Sequence, residues 1–481
     1  MDNIRTEVAV IGSGPGGYVA AIRAGQLGKQ VVCIEKESAG GVCLNVGCIP
    51  SKALISAAKQ FDKIRHADAM GIMVAEPRLD VAKMLAWKGG IVDKLTSGVR
   101  QLIKSAGGKF VQGTARLRSA RIIEVQSDQG TYTVEADHII VATGSRPIAV
   151  PGFVIDNKRI HDSTGALSIP EVPRRLAVIG GGYIGLELGI MWAKLGAELT
   201  VVEFTDQLLP GNDPELVAVV ARKLKKLGAK VHLLHKALRW EEQKGGGLQL
   251  YAAPRAAEGQ SGAASELAIG CDHILVTVGR RPNCENLGLE QVGVKVDTRG
   301  FITVDKQQRT SVPNIFAIGD VCGQPMLAHK ASREGEVAAE VIAGHKSEMD
   351  AVAIPAVIFT DPEIGSVGLT EAQAQQQGRK VVTGKYNFAA LGRAMAALET
   401  DGFVKVVADA ETHEVLGIHV VGPAATDLIS EGALALEMGS FLPDLALTIH
   451  PHPTLGEAVM EAAKAALGES PHVVGGGQKR G

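Results

Sequence analysis

Two copies of one unit constrain this chain more than any other feature. Val8-Ala9-Val10-Ile11, a short apolar run of strand character, leads directly into Gly12-Ser13-Gly14-Pro15-Gly16-Gly17, and an alanine-rich stretch of helical periodicity continues to Leu27. In a strand–turn–helix context such a glycine turn cradles a pyrophosphate. Gly12 permits the tight turn, Gly14 lets the backbone approach the anion, Gly17 admits close helix packing, and the helix N-terminus stabilises negative charge. The next strand, Gln30 to Ile34, ends at Glu35, an acid placed to accept hydrogen bonds from a ribose. The unit returns as Ala177-Val178-Ile179, then Gly180-Gly181-Gly182-Tyr183-Ile184-Gly185, then Leu199 to Val202 ending at Glu203. First glycine and acid are 23 residues apart in both copies.

A second repeat accompanies the first. Asp137-His138-Ile139-Ile140-Val141-Ala142-Thr143-Gly144-Ser145-Arg146-Pro147 is echoed by Asp272-His273-Ile274-Leu275-Val276-Thr277-Val278-Gly279-Arg280-Arg281-Pro282. The chain therefore contains two dinucleotide-binding domains, each glycine turn answered by a later strand that rejoins its sheet. A length of 481 residues leaves room for a third domain.

Between the repeats lies the chemistry. In Gly41-Val42-Cys43-Leu44-Asn45-Val46-Gly47-Cys48-Ile49-Pro50-Ser51-Lys52, two cysteines are five positions apart. A straight helix would hold their Cα atoms about 8–9 Å apart, beyond the roughly 7 Å that a disulfide spans. A redox-active pair here needs an irregular turn, which Gly40, Gly41 and Gly47 allow. Pro50 suits the first turn of a helix, which puts Cys48 at a positive N-terminal end and favours its thiolate. Lys52, four residues on, brings a cation to the same helical face. The alternatives are two unconnected buried cysteines, or a zinc site lacking its second ligand pair.

A dithiol needs a mediator to turn thiolate electrons into a hydride, so the first dinucleotide site is assigned FAD and the second a nicotinamide. Glu203 suits the free 2′-hydroxyl of NAD and opposes the phosphate of NADP, and neither Phe204 nor Thr205 supplies a compensating cation. Later, Asn314-Ile315-Phe316-Ala317-Ile318-Gly319-Asp320 ends an apolar strand in an acid able to bind a polyhydroxyl ribityl chain, and Met326-Leu327-Ala328-His329-Lys330 opens a long helix.

From Ile354 the pattern changes to short β-branched strands with turns, an α+β domain. Near its end stands His450-Pro451-His452-Pro453-Thr454-Leu455-Gly456-Glu457. A histidine followed a turn later by a carboxylate is a pairing that orients an imidazole and raises its basicity, though a surface turn or a metal pair fits the same residues. The expected division is residues 1–148 for FAD with the redox pair, 149–276 for NAD, 277–350 returning to the FAD domain, 351–468 as interface domain, and 469–481 as a flexible tail.

Composition narrows the partners. A net charge of −2 leaves no basic footprint for nucleic acid. The N-terminus lacks the basic-then-apolar order of a signal peptide, and no apolar run is expected to reach a membrane span. Six cysteines, at 33, 43, 48, 271, 284 and 322, are too sparse for a disulfide framework and suggest a reducing, cytoplasmic setting with one catalytic disulfide.

Together these motifs resemble the flavin disulfide reductases, and within them most closely the dihydrolipoamide dehydrogenases, over nearly the whole chain from Thr6 to Leu467. The resemblance implies two Rossmann-like domains and a dimerisation domain. It also implies a homodimer in which His452 and Glu457 of one subunit serve Cys43 and Cys48 of the other. Cys43 then exchanges with substrate thiols while Cys48 faces the flavin. Lys52 lies near the flavin, with Glu187 as its expected partner. FAD contacts fall to Gly12, Gly14, Pro15, Gly16, Glu35, Lys36, Gly41 and Lys52. They continue through Gly113, Thr143, Gly144 and Asp320 to Met326, Leu327, Ala328 and His329. NAD contacts fall to Gly180, Gly182, Gly185, Glu203 and Gly279. No metal is implied. The implied reaction oxidises protein-bound dihydrolipoamide and reduces NAD⁺, with lipoyl domains and the acyltransferase core of 2-oxo-acid dehydrogenase complexes, or a glycine cleavage complex, as partners. An NADH-dependent reductase of another small disulfide, or a redox-silent flavoprotein scaffold, is the alternative. Glutathione reductase is disfavoured by Glu203, and mercuric reductase by the lack of any cysteine after Cys322.

Overall fold

A computed structural model describes residues 3–255 and 266–473. The chain divides into two compact units, Met1–Glu171 with Val278–Asp350, and Val172–Thr277 with Ala351–Gly481.

In the first unit the strands Lys109–Gln112, Val31–Glu35, Ile4–Ile11, Gly130–Val141 and Ile315–Ala317 run parallel in that order. Ile122–Ser127 and Thr114–Leu117 extend the sheet antiparallel from Gly130–Val141. Val8–Ile11 of strand Ile4–Ile11 is buried on both faces, which is why it reads as an unbroken apolar run rather than an alternation. Val8 and Val10 pack with Ala20, Ala21 and Ala24 of helix Pro15–Gln26 and with Val337 and Ala338 of helix Ala328–Ile342. Ala9 and Ile11 face the other way, into a core with Leu117, Ile123 and Val125. Small alanines on the first helix let it lie close to the sheet. Segment 149–171, read from sequence as the start of the NAD domain, packs with this unit, and Lys88 Nζ of helix Val81–Ser105 donates to the Leu167 carbonyl at 2.8 Å.

In the second unit Lys230–His232, Glu198–Val202, Arg175–Ile179 and His273–Val276 form a parallel set in that order, followed in sequence by the antiparallel hairpins Ala356–Ile358, Glu363–Gly368, Val415–Gly422, Phe403–Asp409 and Val381–Asn387. Phe388, Val404, Val406, Ile418 and Val420 make the core of that antiparallel sheet with helices Ala425–Glu437 and Glu457–Leu467. A buried cation joins the two parts of this unit. Lys405, 3% exposed, pairs with Asp213 at 3.2 Å, Glu215 at 2.8 Å and Glu371 at 3.0 Å.

Two expectations need correction. Within the stretch Gly41–Arg65 an 18-residue window reaches a mean hydropathy of 1.3, long and apolar enough to cross a membrane. The stretch is interrupted at Gly47 and carries Lys52, Lys59, Asp62, Lys63 and Arg65, charges that are expensive at a bilayer centre. The start of the tail is tied down: Ser470 Oγ donates to Glu461 Oε2 at 2.7 Å, and His472 Nδ1 lies 3.1 Å from Glu461 Oε1. Residues 474–481 of the tail lie outside the described residues.

Candidate active site

The first glycine turn has the division of labour expected of it. Gly12 has φ +100°, and a Cβ there would stand 2.4 Å from the Ala142 carbonyl oxygen. A Cβ at Gly17 would lie 2.0 Å from Gly12 O, so helix Pro15–Gln26 can sit on its own turn only without a side chain at that position. At Gly14, the N-cap, nothing lies within 4 Å of a built Cβ. The open space is therefore at the helix N-terminus, where an anion is stabilised. Gly16 faces elsewhere, against Ala331 of helix Ala328–Ile342. Glu35 is buried and accepts from Ser13 N–H and Ser13 Oγ–H, both at 2.8 Å, and from Glu37 N–H at 2.9 Å. Lys36 is exposed and pairs with Glu37.

The cysteine stretch is docked on this turn. Gly40 N–H donates to Ser13 O at 2.9 Å, and a Cβ on Gly41 (φ +57°) would meet Gly14 Cα at 2.7 Å. Cys43 lies in the short helix Gly41–Val46, the backbone breaks at Gly47 (φ −136°, ψ −113°), and Cys48 is the first residue of helix Cys48–Arg65. The break is the irregular turn the spacing requires. Both cysteines are present as thiols, hydrogen-bonded to one another. That hydrogen bond, then burial, then the charge of Cys48, hold the Cys43 thiol well above the ordinary range, against a smaller pull from Lys52. Cys33 and Cys271 are buried core residues and Cys284 and Cys322 half-buried ones.

Around the same sheet edge Thr143 and Gly144 are held by Asn283. Thr143 Oγ1 donates to Asn283 O at 2.8 Å, Asn283 Nδ2 donates to Thr143 O at 2.9 Å, and Asn283 N–H donates to Gly144 O at 2.9 Å. Gly113 packs against Val125 and Gln126. Asp320 sits in a single helical turn, Gly319–Val321, after strand Ile315–Ala317, and accepts from Ser145 Oγ–H at 2.5 Å. Leu327 caps helix Ala328–Ile342, with Met326 before it and Ala328 and His329 in its first turn.

The second turn repeats the first. Gly180 has φ +104°, Gly182 caps helix Tyr183–Lys194 with open space around it, and a Cβ at Gly185 would lie 2.3 Å from Gly180 O. Glu203, buried, accepts from Gly181 N–H at 2.5 Å and from the N–H and hydroxyl of Thr205 at 2.7 Å. A cation that local sequence did not reveal reaches this strand end: the Arg255 guanidinium lies 5.2 Å from the ring of Phe204. Gly279, expected beside NAD, belongs to the first unit, where its carbonyl accepts from Ile148 N–H. Glu187 is buried and accepts from Phe359 N–H at 2.8 Å.

The two histidines of the C-terminal segment part company. His450 turns inward, with Nε2 2.8 Å from Glu431 Oε1 and Nδ1 2.9 Å from Thr448 O. His452 turns outward, its side chain 78% exposed, with Nδ1 2.8 Å from Glu457 Oε1. The other oxygen of Glu457 accepts from Thr454 N–H at 2.9 Å. Burial raises the Glu457 carboxyl, but the Thr454 hydrogen bond and His452 outweigh it and the net shift is downward. Among the described residues no group of three or more His, Cys, Asp or Glu side chains that could hold a metal ion is present.

Comparison with known proteins places this geometry in a family. Residues 6–335 match the model for pyridine nucleotide-disulphide oxidoreductases, and residues 354–463 match the dimerisation domain of the same proteins. The chain belongs to the pyridine nucleotide-disulphide oxidoreductases. It is 50% identical over 471 residues to a dihydrolipoyl dehydrogenase of Geobacillus stearothermophilus and 47% identical over 472 residues to one of Bacillus subtilis, with 98% of both chains covered in each case. Among solved structures it is similar to LpdA of Mycobacterium tuberculosis, with TM-score 0.87, 27% identity, and 96% and 99% of the two chains covered. It is also similar to the HOCl-induced flavoprotein disulfide reductase RclA of Escherichia coli, with TM-score 0.84, 25% identity, and 95% and 99% covered.

Pyridine nucleotide-disulphide oxidoreductases of this kind use FAD and NAD(H). The residues present fit both groups: each glycine turn leaves open space at a helix N-terminus, and each is backed by a buried acid 23 residues on. Reading the sequence did not reveal Ser13, Asn283, Ser145, Arg255 or Glu431. Ser13 lies inside the first glycine turn, Ser145 inside the second repeat and Asn283 directly after its Arg-Pro pair, whereas nothing local marks Arg255 or Glu431.

Proposed function

We propose that this chain oxidises protein-bound dihydrolipoamide to lipoamide with reduction of NAD⁺ to NADH, as a cytoplasmic homodimer serving 2-oxo-acid dehydrogenase or glycine cleavage complexes. The observation that carries this reading is an exposed imidazole, His452, held through Nδ1 by Glu457, in a chain that also presents a cysteine pair across a helix break. The carboxylate fixes the tautomer, so Nε2 is the atom that takes a proton.

The chain's own residues then act as follows. His452 of the partner subunit removes a proton from one dihydrolipoamide thiol. The thiolate attacks Cys43 Sγ, the Cys43–Cys48 bond breaks, and Cys48 leaves as a thiolate stabilised at its helix N-terminus. The second substrate thiol passes its proton to the departing Cys43 sulfur as it displaces it, which gives lipoamide, Cys43 as thiol and Cys48 as thiolate. FAD, when bound, supplies the two-electron step that restores the disulfide and reduces NAD⁺. Gly12, Gly14 and Gly144 with Glu35 and Asp320 hold FAD, and Gly180, Gly182 and Glu203 hold NAD. The division into FAD, NAD, return and interface segments is part of the same proposal.

The test is NADH formation from dihydrolipoamide and NAD⁺ by the purified yellow protein and by Cys48→Ser. Rapid formation that is lost in the variant supports the reading. No turnover by protein with flavin bound and a reducible disulfide sinks it and favours another small disulfide as substrate.

A further inference from the structure

The two copies of the second repeat touch, and they do so at equivalent positions. Ser145 is the third residue of Thr143-Gly144-Ser145-Arg146-Pro147, and Arg280 the third of Val278-Gly279-Arg280-Arg281-Pro282. Strands Ser145–Pro147 and Arg280–Pro282 pair antiparallel, with Arg281 opposite Arg146. Arg280 Nε–H donates to Ser145 Oγ at 2.8 Å, and Arg280 Nη2 donates to the Ser145 carbonyl at 2.8 Å. Ser145 is 3% exposed, and its hydroxyl donates to Asp320 Oδ2 at 2.5 Å.

The direction of this chain of hydrogen bonds is fixed. A guanidinium only donates, so the Ser145 oxygen must accept from Arg280, and its single proton is left for Asp320. A hydroxyl polarised by a cation on one side and a carboxylate on the other makes a stronger bond than either neighbour would produce alone. The adjoining backbone is held as well, since Gly319 N–H donates to Glu334 Oε2 at 2.7 Å and Glu334 pairs with Lys330. The Ser145 hydroxyl occupies Asp320 Oδ2, so Oδ1 is the oxygen that this arrangement assigns to a ligand hydroxyl.

We propose that Arg280 and Ser145 form a relay that orients the Asp320 carboxylate toward the polyhydroxyl chain of FAD, so that both are positioning residues for flavin retention. The relay rests on the proposed role of Asp320 in holding FAD. It gives the Arg280 of the second repeat a part in holding the cofactor of the first, which neither glycine turn shows by itself.

The test follows FAD loss from the holoenzyme by the rise in free-flavin fluorescence, beside far-ultraviolet circular dichroism of the same samples, for Ser145→Ala, Ser145→Thr, Arg280→Met and Asp320→Asn. The relay predicts that Ser145→Ala and Arg280→Met each weaken FAD binding about tenfold, the loss expected for one charge-assisted hydrogen bond. Ser145→Thr, which keeps the hydroxyl, retains FAD. In the two disruptive variants FAD leaves on heating before the fold melts. Adding Ser145→Ala to Asp320→Asn weakens binding no further, because the relay acts only through the carboxylate. If Asp320→Asn weakens binding while Ser145→Ala and Arg280→Met do not, the relay is wrong and the role of Asp320 stands. If Asp320→Asn also binds normally, that role fails and the relay with it. Flavin release and unfolding shifted down together would mark Ser145 and Arg280 as structural only and overturn the proposal.

Discussion

His452 Nδ1 lies 2.8 Å from Glu457 Oε1, with the imidazole exposed and the carboxylate at the first turn of helix Glu457–Leu467. The acid sits where the helix dipole favours it, and its second oxygen is held by Thr454 N–H. Glu457→Gln keeps the shape but removes the charge that holds the tautomer. It should lower turnover about 100-fold, the order of a general-base contribution, with flavin content unchanged. The sign of the pH effect follows from the lowered Glu457 value. Its contribution to stability is present above the ordinary carboxylate range and is lost only as pH falls through the lowered value. Melting curves for wild type and Glu457→Gln should therefore converge in acid, not near neutrality.

The two kinds of glycine in the first turn separate folding from binding. Gly17→Ala places a Cβ 2.0 Å from Gly12 O and should cost several kcal/mol of stability, visible as a large drop in melting temperature. Gly14→Ala meets nothing within 4 Å, so the protein should fold but lose the yellow colour of bound flavin. Equal melting losses in both would contradict this division.

On the proposed role of Glu203 in holding NAD, this acid and Arg255 should act in opposite directions on nucleotide choice. Replacing Glu203 by Ser removes the buried carboxylate while leaving the Arg255 guanidinium beside Phe204. The ratio of kcat/KM for NADP⁺ to that for NAD⁺ should rise about tenfold or more, roughly one ionic contact. Adding Arg255→Ala should reverse part of the gain.

Lys405 ties the second glycine-turn repeat to the antiparallel sheet of the second unit through Asp213, Glu215 and Glu371. Burial alone would lower the lysine, but the carboxylates outweigh it and hold it above its ordinary value. Lys405→Met leaves those acids uncompensated and should cost about 3–5 kcal/mol. A raised lysine stabilises fully below its ordinary value near 10.5 and loses that contribution as pH rises through the folded value. The gap between wild type and variant in urea melts should be constant from neutral pH to about 9 and shrink in stronger alkali.

How much was legible from sequence depended on how local each constraint is. The glycine turns could be read because Gly12 and Gly180 need positive φ, and Gly17 and Gly185 lie against backbone within their own units. The cysteine pair was readable for a similar reason: a straight helix cannot bring two thiols five positions apart together, and the chain breaks its helix at Gly47. Contacts between distant segments left no such mark. Nothing near His450 announces Glu431, which arrives on helix Ala425–Glu437 and takes that histidine out of the exposed pair. Arg255 reaches Phe204, and Ser145 reaches Asp320, only because strands far apart in sequence end at the same edge. The tail looked unstructured from its glycines, yet Ser470 and His472 find the buried Glu461 one turn beyond Glu457.

The central claim is that His452 of one subunit serves the cysteines of another, and mixed dimers test it most directly. Cys48→Ser and His452→Gln should each be inactive alone in NADH formation from dihydrolipoamide. Co-expressed and allowed to assemble at random, half of the dimers would be mixed, each with one intact composite site. Activity should then return to about a quarter of the wild-type value per flavin. If the mixture stays as inactive as its parents although mixed dimers are shown to form, the histidine and the cysteines act within one chain and the account is contradicted.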